Sequence, residues 1–234
     1  MKFKSILLIS MLGIIFLSSC KKEEIKKDEI KLSSSSVTLR HGQKYQIEAT
    51  SLSTISYTST DDFYATVSST GLVTANHIGS TPIILKNEED ETEFIVSIVP
   101  LYYTYDEPKI KIGDSKESVL GVLGNPDNDS GDSFAYIDFS NNCGLMILFD
   151  NNKVSSYAVM VPTKYMSELT DFLIERYSVI GISGGDAYYI NHDRDMGIVE
   201  SVYNTSYIMV MYIPYSEKGM SVDVCREYER LFQM

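Results

Sequence analysis

The chain has no tryptophan, three histidines, three cysteines and six prolines among 234 residues. The histidines stand at 41, 77 and 192, too scattered to give the spacing of a zinc site or a hydrolytic triad. The chain has no tryptophan to stack on a sugar ring, and tyrosines alone are weak support for a glycan ligand. Basic residues are the scarce charge: 20 Lys and Arg against 32 Asp and Glu, a net −12. Such a body repels phosphate backbones and argues against nucleic acid as a partner. The one long apolar run, Ile6 to Phe16, has eleven residues, where a spanning helix needs ~20. None of Cys20, Cys143 and Cys225 belongs to a CxxC pair or has a histidine nearby, so no metal or other cofactor is expected. An oxidising compartment would permit Cys143 and Cys225 to pair, but two cysteines far apart in sequence do not establish a bridge.

What is present begins with the N-terminus. Lys2 and Lys4 precede the apolar run, and Leu17-Ser18-Ser19-Cys20 closes it. Charge, apolar run and small-residue cut site are the plan of a secretory signal. With cysteine following the cut, the stretch resembles a bacterial lipoprotein signal. That resemblance implies removal of residues 1–19 and lipidation of Cys20 as the new first residue. Several acyl chains at ~0.8 kcal/mol per buried CH₂ hold a protein on a membrane where one chain does not. Lys21-Lys22-Glu23-Glu24 follows and looks like the surface-export signal of Bacteroidetes lipoproteins. It implies an outer-membrane protein facing the medium; a plain spacer on a periplasm-facing protein is the alternative. The spacer is expected over residues 20–31. The mature chain has 215 residues and, without Lys2 and Lys4, 18 basic against 32 acidic groups, or −14.

Residues 32–100 alternate polar and apolar positions in short runs broken by Gly, Ser and Asn. Val37-Thr38-Leu39, Tyr45/Ile47/Ala49, Ile55/Tyr57, Ala65/Val67, Gly71 to Ala75, Pro82 to Leu85 and Phe94/Val96/Ile98 predict seven strands of an antiparallel sandwich. Ala65-Thr66-Val67-Ser68-Ser69-Thr70-Gly71-Leu72-Val73-Thr74-Ala75, followed by Gly79-Ser80-Thr81-Pro82-Ile83, is similar to the group 2 bacterial immunoglobulin-like domain. Tyr57 stands where that family usually has Trp. The resemblance implies a stalk, spacer or adhesion module without catalytic residues. Gly71 is expected at a turn with φ > 0, and Glu88-Glu89-Asp90-Glu91 at a solvated hairpin tip.

Residues 101–234 predict an α+β domain of two tandem units, each a helix followed by three strands. The first has a helix at Ser115 to Leu123, capped by Ser115 and stopped by Gly124 and Pro126, then strands at Phe134 to Phe139, Gly144 to Phe149 and Val154 to Val161. The second has a helix at Tyr165 to Tyr177 and strands at Ala187 to Asn191, Gly197 to Tyr203 and Tyr207 to Ile213. Ala135-Tyr136-Ile137 answers to Ala187-Tyr188-Tyr189, Cys143-Gly144-Leu145-Met146 to Met196-Gly197-Ile198-Val199, and Val159-Met160-Val161-Pro162 to Met211-Tyr212-Ile213-Pro214, an offset of about 52. Gly113 to Pro126 follows Gly-x-Ser-x-x-x-Val-x-x-x-Leu-Gly-x-Pro. It is similar to the opening of the β-lactamase-inhibitor-like and outer-membrane-assembly small-lipoprotein folds. That resemblance, over some fifteen residues, implies a sheet whose open face binds another protein.

Counting by twos turns Ala135, Ile137, Phe139, Leu145, Ile147, Phe149, Val159, Val161, Met211 and Ile213 toward the helices. Tyr136, Met146, Met160, Tyr188 and Tyr212 are left on the other face as the candidate binding surface. Ser221 to Met234, with Val224, Tyr228, Leu231 and Phe232 on one helical face, is an alternative cover for it.

Three constellations are set aside. Gly113-Asp114-Ser115 resembles an esterase nucleophile motif, but Tyr189 stands where the partner Asp-x-x-His needs its aspartate. Asp127 to Asp132 has Asp at the sixth position, where a calcium hand needs Gly. His192-Asp193-Arg194-Asp195 falls at a hairpin tip. The expectation is a non-enzymatic surface lipoprotein: an immunoglobulin-like stalk carrying a binding domain for a protein or a surface glycan. A periplasm-facing assembly role, and a hydrolase with an unseen site, are the alternatives.

Overall fold

The computed structural model describes residues 27–216 and 219–220. The signal, Cys20, the first part of the spacer and the Ser221 to Met234 helix candidate with Cys225 lie outside the described residues. Among those described, no helix is long and apolar enough to cross a membrane.

Nine strands make the first domain: β1 (Lys31–Leu32), β2 (Ser36–Leu39), β3 (Lys44–Gln46), β4 (Ala49–Thr50), β5 (Ser56–Ser59), β6 (Ala65–Val67), β7 (Leu72–Ala75), β8 (Gly79–Lys86) and β9 (Glu91–Ile98). They form a four-stranded sheet in the order β2-β9-β8-β5 and a three-stranded sheet in the order β3-β7-β6, with β1 and β4 as a separate pair. β2 runs parallel to β9. Alternation puts Leu39, Ile83, Leu85, Phe94, Val96 and Ile98 of one sheet against Ala65, Val73 and Ala75 of the other, as a sandwich core requires. Tyr57 sits beside a glycine: at Gly71, with φ +82°, a Cβ would come within 2.9 Å of the Tyr57 ring. The bulk at position 57 and the bare backbone at 71 therefore go together.

Residues 27–31, expected in the spacer, are bound into this domain instead. Ile30 is buried in its core. Its N–H donates to Asp90 at 2.9 Å, the Asp28 N–H donates to Glu89 at 2.6 Å, and Lys27 pairs with Asp90 at 2.7 Å. The acidic run at 88–91 is thus a docking point for the entering chain as well as a hairpin tip. Asp28 accepts from the Ser53 hydroxyl at 2.6 Å, from the Leu52 and Ser53 amides at 2.8 Å and from the Ser51 hydroxyl at 2.9 Å. These donors, the Ser53 hydroxyl foremost, hold its carboxyl down at about 2, below the ordinary 3.8. A depressed carboxylate stabilises the fold above its unfolded pKa, and that contribution is lost as pH falls through the folded value. The first domain is therefore expected to lose stability between about pH 4 and pH 2, and Asp28→Asn to flatten that part of the acid-unfolding curve followed by circular dichroism. An unaltered curve would show that the four donors contribute nothing.

The second domain contains α1 (Lys116–Leu123), β10 (Asn128–Asp129), β11 (Ser133–Ser140), β12 (Cys143–Asp150), β13 (Lys153–Pro162), a short 3-10 turn at Thr163–Tyr165 and α2 (Met166–Ile174). There follow β14 (Ser178–Ser183), β15 (Asp186–Ile190), β16 (Met196–Val202), β17 (Tyr207–Ser216) and β18 (Gly219–Met220). Ser115 caps α1 by accepting from the Ser118 N–H at 3.2 Å, and Gly124, at φ +77°, ends it. Asn141-Asn142 and Asn151-Asn152 all take positive φ, the geometry of tight hairpin turns. Eight strands make one antiparallel sheet in the order β10-β11-β12-β13-β17-β16-β15-β14, and β18 pairs with the end of β17.

The tandem units meet at the centre of this sheet, where β13 pairs with β17. Tyr136 faces Leu145 as Tyr189 faces Ile198, and Leu145 faces Val159 as Ile198 faces Tyr212. The structural offset is thus 53, which the pairing of Cys143 to Met146 with Met196 to Val199 already had, while the other two pairings, at 52, are one residue short. In a strand, one residue exchanges the two faces. Tyr136 (8% exposed) and Tyr212 (1%) accordingly lie in the core beneath the helices, with Leu145, Ile147, Phe149, Val159, Leu169, Phe172 and Leu173. Met211 and Ile213, expected there, belong to the opposite face with Val199 and Met209. Ile137, also expected inward, is 76% exposed, because the β11–β12 register shifts between Tyr136 and Ser140 and a bulge re-aims the side chains that follow it.

Candidate functional site

The expected binding face divides in two. Met146, Met160 and Tyr188 remain on the side away from the helices, with Leu148, Ala158, Val199, Met209, Met211, Ile213 and Tyr203. Tyr136 and Tyr212 leave it. The Tyr136 hydroxyl donates to the Gly124 carbonyl at 3.0 Å and so satisfies the end of α1. Tyr212 bonds the Tyr105 hydroxyl at 2.6 Å and stacks on Tyr157 at 4.6 Å between ring centres. Burial pushes the pKa of Tyr105 and Tyr212 well above the ordinary 10, so both stay neutral hydroxyls and neither serves as a base near neutral pH.

A second meeting place was not legible in the sequence: the junction of the two domains gathers all three histidines. His77 Nδ1 lies 3.0 Å from the Ile174 carbonyl and Nε2 lies 3.1 Å from the Ser178 hydroxyl. Ile78 donates its N–H to the Glu175 carbonyl at 2.8 Å. These groups occupy carbonyls that the end of α2 leaves without intrahelical partners. His192 reaches back from the β15–β16 loop to Asp61 at 2.8 Å, with Asp193 at 3.0 Å on its other nitrogen and the Phe63 and Tyr64 rings beside it. His41 stacks on His77 with ring centres 6.2 Å apart. Burial lowers the pKa of His77 below 6.5, with a smaller contribution from His41, so its neutral form is favoured in the docked state. The cue in the sequence was compositional: three histidines, one of them in a loop read as solvated, are a small set to find in one place.

Glu175 anchors this junction. Its side chain is 1% exposed and bonds Arg176 at 2.6 Å, while its two oxygens accept from the Leu101 and Tyr102 amides at 3.0 and 3.1 Å. Arg176 donates in turn to the Tyr102 and Phe172 carbonyls and stacks over the Phe172 ring at 3.7 Å. The carboxylate thus fixes the start of the second domain on the end of α2, with charge and hydrogen bonds both satisfied.

The remaining constellations carry local structure. Asp127 accepts from the Ile137 amide at 2.7 Å and Asp129 from the Gly131 amide at 2.8 Å. Asp195 accepts from Asn191 at 2.7 Å. Among the described residues no group of three or more His, Cys, Asp or Glu is placed to hold a metal ion. Cys143, expected in a turn, opens β12 and is fully buried, and burial pushes its thiol up to about 11. Ellman's reagent is expected to leave Cys143 untouched in the native protein and to modify it fully in denaturant, because the thiol is inaccessible and protonated. Rapid modification of the native protein would contradict this placement.

Comparison with known proteins decides the character of the first domain. Residues 27–94 match the bacterial Ig-like domain (group 2). The match begins at Lys27, where the structure binds the entering chain to the domain. No curated protein matches this chain in sequence. Among solved structures, domains 5-6 of the S-layer protein SbsC are similar at 16% identity, with 80% of this chain and 84% of that chain covered and a TM-score of 0.27. Domains 4-9 of the surface layer protein SbsC are similar at 16% identity, with coverage of 82% and 27% and a TM-score of 0.30. The family match assigns residues 27–94 to the group 2 bacterial Ig-like domain.

Proposed function

We propose that this chain is a lipid-anchored, non-catalytic binding protein of the outer membrane, facing the medium. Its Ig-like domain stands next to the lipid, and its second domain engages another protein or a surface glycan. The observation that carries the reading is the order of parts: a lipidation motif at Cys20, then an Ig-like domain that starts at residue 27. Only residues 21–26 separate the two. Six residues span at most ~22 Å fully extended, so the Ig-like domain is held close to the membrane. The histidine and Glu175 contacts then fix the direction in which it presents the second domain.

Mass spectrometry of the mature N-terminus tests the anchor: a diacylated Cys20 is expected, and an unmodified thiol or a cut elsewhere overturns it. Protease treatment of intact cells tests the facing. Digestion supports exposure to the medium, whereas protection returns the protein to the periplasmic side and to an envelope-assembly role. Tyr136 and Tyr212 are unsuitable probes of binding because they are core residues. Met146→Asp, Met160→Asp and Tyr188→Ala in a capture experiment address the face that lies away from the helices.

A further inference from the structure

We propose that two copies of this chain associate edge to edge through β14, paired antiparallel about a two-fold axis, so that one sheet runs through both second domains. The sheet has two edges, β10 and β14. β10 is guarded: it has two residues, Asn128 and Asp129, with Asp127 and Asp132 close by in the chain, and short, charged edges resist pairing. β14 is six residues long, Ser178-Val179-Ile180-Gly181-Ile182-Ser183, with neither charge nor proline. It bonds β15 on one side, and no described strand meets the other. Val179, Ile180 and Ile182 are 54%, 50% and 79% exposed. An edge with open backbone groups and apolar side chains is a template for another strand.

The bulge in β14 selects the occupant. Val179 faces Tyr189 and Ile182 faces Ala187, and directly opposed residues share a face of the sheet. Tyr189 and Ala187 belong to the cluster beneath the helices, so Val179 and Ile182, three residues apart, point to that same side. In a regular strand they would point to opposite sides. The register shift between Val179 and Gly181, which leaves Ile180 as the extra residue, brings them together. An ordinary extended peptide has no two positions three apart on one face, so it can match one of them but not both. A second β14 matches both. Antiparallel self-pairing sets Val179 opposite Ile182 of the second copy, Ile180 beside the bare backbone of its Gly181, and Ser178 opposite its Ser183. The two-fold repeats each of these pairs. Because the strand is uncharged, two bodies of net −12 meet along it without like charges set opposite one another. The hairpin tip that then approaches Ser178 of the other copy, where His77 is bonded, is Gly184-Gly185, which brings no side chain to that place.

The test uses the full chain without a partner, so failure of the binding reading leaves its outcome unaffected. A chain carrying Val179→Cys is mixed with one carrying Ile182→Cys and oxidised gently. Directly opposed Cα atoms lie ~4.5–5.5 Å apart, within reach of a disulfide, and neither position lies opposite itself. The mixture is expected to give a covalent dimer bridged between positions 179 and 182. Each variant alone is expected to give no more dimer than the unsubstituted chain, which controls for Cys20 and Cys225. No bridge between 179 and 182, or equal bridging in each variant alone, overturns the proposal. In a second arm, sedimentation of Ile182→Lys is expected to show the dimer's dissociation constant raised about tenfold or more. Each copy then loses an apolar contact and gains the charge that natural edges use against pairing. An unsubstituted chain that stays monomeric up to millimolar concentration, or a lysine variant that associates as strongly, overturns it. If Ile182→Lys also lowers the melting temperature, the disulfide map decides.

Discussion

Replacing Tyr212 by alanine is expected to destabilise the second domain by about 3–5 kcal/mol, the range for removing a large aromatic from a packed core. Tyr212 is 1% exposed on β17, where the two tandem units meet. It stacks on Tyr157, meets Tyr177 edge-on at 6.2 Å, and bonds the buried Tyr105 hydroxyl. Tyr212→Phe keeps the ring and strands the Tyr105 hydroxyl, so a smaller loss of about 1–3 kcal/mol is expected. Urea unfolding followed by near-ultraviolet circular dichroism separates the two variants. Equal effects would mean that the hydroxyl pair contributes nothing, and a near-neutral Tyr212→Ala would mean that the ring is not in the core. Since a domain has only about 5–15 kcal/mol in hand, the alanine variant is expected near the edge of folding at 37 °C.

Glu175→Ala is expected to be as damaging, about 3–5 kcal/mol, for an electrostatic reason. Removing one member of a buried ion pair leaves the other charge without compensation. Here Arg176 would keep one carboxylate among the described residues, Glu107 at 3.5 Å, and the Leu101 and Tyr102 amides would lose their acceptors. Glu175→Gln keeps an acceptor oxygen and removes the charge, and is expected to fall between. Because Glu175 also offers its backbone carbonyl to Ile78, misplacing this turn loosens the junction itself. Scanning calorimetry is expected to show the second domain of Glu175→Ala melting earlier, and small-angle scattering a wider spread of domain separations. A variant with native melting and native scattering would remove Glu175 from the junction.

The sandwich, most of its strands, the helix caps at Ser115 and Gly124, and the tandem order of the second domain were legible in the sequence, while β1, the split of Tyr45 to Ala49 into β3 and β4, the parallel β2–β9 pair and β10 were not. Each legible feature depends on local chemistry: period-two alternation, a side chain capping its own helix, glycine or asparagine at positive φ. Faces were harder to assign. A period-two count is right only while no bulge intervenes and the repeat offset is known to the residue. The shift in β11 and an offset of 53 instead of about 52 were enough to move Tyr136 and Tyr212 from the candidate surface into the core. β14 was missed because Val179, Ile180 and Ile182 do not alternate with polar residues, and all three are exposed at the edge of the sheet.

By itself the sequence determined most of the longer elements and their order, because those choices are made over a few residues. Only the tertiary structure decided that residues 27–31 belong to the Ig-like domain, that Glu175 closes the junction, and that His41, His77 and His192 share it. Those contacts join residues far apart in the chain. Their free energy comes from burial and charge pairing that exist only after the two domains have packed.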